Sequence, residues 1–68
     1  MREFTYRVED DRHPSPVLRR ARVRDEHEAV KLASRILSET YHHLGVELWH
    51  QDQKLYAVQR PESRQAQP

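Results

Sequence analysis

The sequence predicts a two-layer α+β fold of order ββαββ, with one helix packed on a four-stranded antiparallel sheet. Three observations carry this. A stretch near the middle repeats its apolar residues at helical spacing, and its start and stop signals agree with that repeat. The segments on either side alternate apolar and polar residues, the period of a half-buried strand. A lone amphipathic helix this short does not hold its apolar stripe in water, so a sheet must cover it.

The helix is expected over about 25–44. Asp25 stands where an N-cap side chain accepts from the first-turn amides, and Glu28 follows three residues later, approximating a capping box. Glu26 and Glu28 place negative charge at the positive end of the helix dipole. Ala29, Ala33, Ile36, Leu37, Thr40 and Leu44 form the apolar stripe, widened by Val30 and Tyr41. Gly45 is the only glycine. It reads as the left-handed residue that ends the helix, with Val46 folding back toward Tyr41.

Ahead of the helix, Phe4, Tyr6 and Val8 alternate with Thr5, Arg7 and Glu9 as a first strand. Asp10 to Pro16 is a loop, since two prolines cannot donate to a ladder. Val17 to Val23 is a second strand, with Ala21 and Val23 toward the helix and Arg20 and Arg22 away from it. Arg19 would point inward, which an edge strand or a bulge accommodates. After the helix, Val46–His50 and Leu55–Gln59 read as a hairpin around Gln51-Asp52-Gln53-Lys54, without an Asn-Gly or Asp-Gly turn. A loop of two or four residues puts Leu55 and Ala57 inside and Tyr56 and Val58 outside. A loop of three residues reverses that. With a right-handed crossover and a wholly antiparallel sheet, the spatial order is 2-1-3-4.

Residues 1–60 are read as a single domain and 61–68 as a disordered tail, polar and without periodicity. A chain of 68 residues buries only about 60% of its unfolded surface, so the core should be thin and a dimer would enlarge it. There is no cysteine, and thus neither a disulfide nor a thiolate metal site. No apolar run approaches the length of a membrane span, and the first residues do not form a signal peptide, so a cytoplasmic location is the default. A net charge of +1 argues against dominance by phosphate binding and against an acidic mimic of DNA.

The outer face of the sheet is the candidate binding surface, carrying Trp49, Tyr56, Arg7, Arg20 and Arg22. Such residues dominate protein–protein hot spots. Aromatic rings interleaved with arginine also stack bases and hold phosphates. No catalytic signature is present. Ser15, Ser34 and Ser38 lie in no nucleophile elbow, one glycine builds no phosphate loop, and Asp10 and Asp11 are adjacent in a loop. Neither a metal nor any other cofactor is expected. His42 and His43, neighbours on a helix, would diverge by about 100°, and only a loop gathering of Asp10, Asp11 and His13 offers an alternative. His50 is the histidine expected to be partly buried beside Leu48.

The aromatic first strand Phe4-Thr5-Tyr6-Arg7-Val8, the Arg24-Asp25-Glu26 lead into an alanine-containing helix, and Val46-Glu47-Leu48-Trp49-His50-Gln51-Asp52 before Lys54-Leu55 resemble short, uncharacterised bacterial ββαββ proteins. The chain differs from them in lacking a glycine-rich first turn. The resemblance implies fold, not activity. In size and element order the chain is also similar to some phage-encoded inhibitors of CRISPR complexes, which act by binding a host complex. The functional expectation is a small non-enzymatic protein-binding or regulatory module that acts through the exposed sheet face and self-associates. The alternatives are a single-stranded nucleic-acid binder and a phage-type inhibitor. No membrane or small-molecule partner is expected.

Overall fold

A computed structural model describes residues 1–61. The disordered tail expected from residue 61 therefore lies outside the described residues, apart from Pro61 itself. Strands β1 (Arg2–Asp10) and β2 (Val17–Val23) precede helix α1 (Glu26–Ser38), and strands β3 (His43–His50) and β4 (Gln53–Gln59) follow it. The sheet runs β2-β1-β3-β4 and every neighbouring pair is antiparallel. Fold class, element order and strand order agree with the sequence reading.

β1 lies between two partners, and its alternation sends one set of side chains to the helix side. Phe4, Tyr6 and Val8 are at most 1% exposed. They form the core with Ala29, Ala33 and Ile36 of α1 and Val46 and Leu48 of β3. Small side chains at 29 and 33 let the helix approach the sheet closely. The Tyr6 hydroxyl, buried with its ring, donates to the Ala29 carbonyl at 2.9 Å. That bond joins the central strand to the first turns of the helix. Burial also pushes the Tyr6 phenol above its usual pKa.

The helix begins as its sequence requires. Asp25 is extended (φ −158°, ψ −178°) and its carboxylate accepts from the Glu28 amide at 3.0 Å. The far end differs from expectation. The helix stops at Ser38, and the Glu39 amide closes it onto the Ile36 carbonyl at 3.1 Å. Thr40 then makes a turn, its carbonyl accepting from the His43 amide and its hydroxyl from the His42 amide. Tyr41 stands 74% exposed and adds nothing to an apolar stripe.

Gly45 is not the helix stop. It lies inside β3, buried, with no positive φ. There it pairs with Glu9 on one side and Gln59 on the other. A side chain at 45 would sit 3.4 Å from Gln59 Cγ and from the Val58 carbonyl oxygen, and 3.5 Å from Glu9 Oε1. The physical reason for the early stop is ladder length. By starting at His43 rather than Val46, β3 reaches along β1 as far as Asp10, which adds backbone pairs that an extended helix would forfeit. The register slips between Glu9 and Asp10, leaving Leu44 as the extra residue.

The second hairpin combines two of the arrangements weighed from sequence. Its loop has two residues, Gln51 and Asp52, both left-handed (φ 51° and 64°), with His50 opposite Gln53. The ladder then slips by one between Leu48 and Trp49. Beyond the slip Tyr56 faces Leu48 and Val58 faces Val46, so both lie on the helix side. The turn is thus that of a two-residue loop, while the strand beyond it has the facing expected of a three-residue loop.

Candidate binding face

The helix covers one side of the sheet and leaves the other bare. Trp49 pairs with Thr5, whose neighbours Phe4 and Tyr6 point into the core, so the indole lies on the bare side. Arg7, Arg20 and Arg22 lie there too: Arg20 opposite Thr5, Arg22 opposite Glu3, and Arg7 between Leu18 and Glu47. Four of the five proposed binding residues therefore share one face. Tyr56 does not. The slip in β4 turns it toward the helix beside Leu48, where it packs against the core, and this corrects its placement on the outer face.

Two residues that sequence reasoning passed over complete the face. Glu47 is its electrostatic centre. One carboxylate oxygen accepts from the Trp49 indole N–H at 3.0 Å and lies 3.7 Å from Arg7 Nε, while the other is 3.8 Å from Lys54 Nζ. The Glu47 carboxylate thereby fixes the orientation of the indole. Leu18 is the second. It is 64% exposed, and with Thr5, Arg7, Trp49, Gln51 and Asp52 it lines a shallow groove. Its signal was present in the strand: Leu18, Arg20 and Arg22 share one parity, so an outward arginine face implied an outward leucine.

Arg19 resolves the break in alternation on β2. It lies on the helix side of an edge strand, but its guanidinium reaches Glu39 at 2.9 and 3.4 Å. Hydrogen bonding by Arg19 holds the Glu39 carboxyl below its usual pKa. The face charges are mixed in sign, with Glu3, Glu9 and Glu47 among Arg7, Arg20, Arg22 and Lys54.

A second polar cluster sits where β1 ends and β3 begins. Asp10 has its side chain only 3% exposed. It accepts from Arg12 through the backbone amide (2.8 Å), Nε (2.9 Å) and Nη2 (2.6 Å). Hydrogen bonding by the Arg12 side chain, against the cost of burial, holds the Asp10 carboxyl far below the usual carboxylate range. His43 is buried beside it, Nδ1 donating to the Ile36 carbonyl at 2.7 Å and Nε2 lying 3.6 Å from Asp10 Oδ2. Arg60 closes the same corner. Its guanidinium donates to the carbonyls of Leu37, Thr40 and His43, and so ties the end of the helix, the turn after it and the start of β3 together.

This corner is built for structure. His42 and His43 are not on a helix, and they take different partners: His42 Nδ1 meets Asp11 Oδ1 at 2.9 Å and its ring lies against Tyr41. Asp10, the acid placed in a flexible loop from sequence, instead ends β1 and is locked to Arg12. No three histidine or acidic side chains among the described residues converge as metal ligands. Ser38 Oγ donates back to the Ser34 carbonyl at 3.0 Å. His50, as read from sequence, is half-buried, with its ring 4.9 Å from that of Phe4. No helix among the described residues is long and apolar enough to cross a membrane. Comparison with protein families, with curated proteins and with solved structures finds no match to this chain.

Proposed function

We propose that this chain is a non-enzymatic protein-binding module acting through the bare face of its sheet. The observation that carries the reading is the groove between Trp49 and Leu18, with the indole fixed by Glu47. A large aromatic ring held in one orientation gives contact area at little entropic cost, and Trp and Arg are the residues that dominate hot spots. A leucine 64% exposed beside it gives a partner apolar surface to cover. The interspersed acids favour a protein over a nucleic acid, because a phosphate backbone would meet Glu3, Glu9 and Glu47 together with the arginines.

The test is capture of partners from a native extract, with and without nuclease, by wild type and by a Leu18→Ser/Trp49→Ala variant whose folding is checked by circular dichroism. The reading expects a protein retained by wild type after nuclease and lost by the variant. Light scattering on the same pair identifies the case in which that protein is a second copy of this chain. Identical capture by both proteins, or capture abolished by nuclease, overturns the reading.

A further inference from the structure

Among the described residues the sheet has two free edges, and they differ. β4 is broken by the slip at Leu48/Trp49, which twists a strand away from flat pairing. β2 pairs with β1 without interruption from Val17 to Val23, so its other side presents a regular row of backbone groups that pair with no other described strand. Its outward side chains are Leu18, Arg20 and Arg22, all exposed. Arg19 is satisfied by Glu39, and Arg24 lies 3.9 Å from Glu28. Arg20 and Arg22 form no ion pair with any described residue.

We infer that the free edge of β2 accepts an acidic, extended segment of another protein as a fifth strand. Backbone hydrogen bonds supply the affinity, and alternate side chains supply the selection. An antiparallel strand laid on β2 meets Arg22, then Arg20, then Leu18, so the segment reads acid-x-acid-x-apolar. Opposite charges directly across a strand pair are favourable and like charges are not. The same rule makes a second copy a poor occupant. Two-fold pairing centred on β2 sets Arg20 of one copy against Arg20 of the other and offers Arg22 only Leu18, with no acid for either. This goes beyond the face reading, since it uses the edge and does not require Trp49.

The test is an NMR titration with a blocked peptide, Thr-Glu-Val-Glu-Val-Leu-Thr. One control peptide has lysine for glutamate, and another is N-methylated at alternate residues. The expected result is amide shifts concentrated in residues 17–23, slowed exchange at alternate amides of β2, and no binding of either control. The variant Arg20→Glu/Arg22→Glu should lose the acidic peptide by about tenfold or more and gain the lysine peptide, a rescue that also shows the variant is folded. Absence of binding at millimolar peptide, equal binding of the N-methylated peptide, or shifts centred on Trp49 each overturn the inference. The readout is pairing along residues 17–23 and not capture through the Trp49 groove, so failure here leaves the face reading to its own experiment.

Discussion

The Gln51–Asp52 turn offers a stabilising change whose size follows from its backbone. Both residues are left-handed, and neither is glycine. That conformation costs an ordinary L-residue about 1–2 kcal/mol, and less for Asn or Asp, whose short side chains bond locally. Replacing Gln51 with Asn should recover about 0.5–1 kcal/mol. Replacing Asp52 with Gly removes the remaining Cβ penalty, but frees the unfolded chain by about 0.5 kcal/mol. The double variant Gln51→Asn/Asp52→Gly should therefore gain about 1–1.5 kcal/mol. For a domain of this size that raises Tm by roughly 5–10 °C. Thermal unfolding followed by circular dichroism measures it, with Gln51→Ala as a control that keeps the left-handed penalty and should change little. A double variant that melts at or below the wild-type temperature would refute the turn geometry.

Other substitutions probe the remaining structural arguments. Gly45→Ala should be neutral or stabilising by up to about 0.5 kcal/mol in chemical denaturation, because Gly45 is extended and its new methyl meets only van der Waals contacts; a loss of more than about 1 kcal/mol would mean that the sheet around Gly45 cannot take a Cβ. Tyr6→Phe should cost about 1 kcal/mol through loss of the bond to Ala29, and an unchanged urea midpoint would mean that bond contributes nothing. The Asp10 carboxyl is held below its unfolded pKa, chiefly by hydrogen bonds from the Arg12 side chain. The unfolded chain therefore takes up that proton first, so the contribution is complete above about pH 4 and falls away as the pH drops through the folded pKa. Melts at pH 7, 4 and 2.5 should show Asp10→Asn with a shallower acid dependence than wild type, and parallel slopes would sink the assignment.

The elements themselves were written plainly in the chain. The first strand, Asp25 and the buried run Ala29, Ala33 and Ile36 follow from spacing and capping alone. The helix terminus was hidden because Thr40, Tyr41 and Leu44 continue a helical period by coincidence, and a glycine follows them. Deciding that stretch needed the length of β1, a non-local fact. The facing of β4 was hidden for a related reason: a slip of one residue leaves no local mark, yet moves Tyr56 from the bare side to the helix side. On the binding face, Trp49, Arg7, Arg20 and Arg22 were legible from strand parity. The role of Glu47 was not, since it depends on three side chains from two other positions along the sheet and its own strand.

The order β2-β1-β3-β4 has a consequence for synthesis. The ribosome delivers β1 first, and β2 soon covers one of its sides. The other side waits for β3, which leaves the ribosome only after the whole helix has been made. Throughout that interval a nascent chain carries the core side chains Phe4, Tyr6 and Val8 on a strand with one flank open, the state in which early domains attract chaperones or one another.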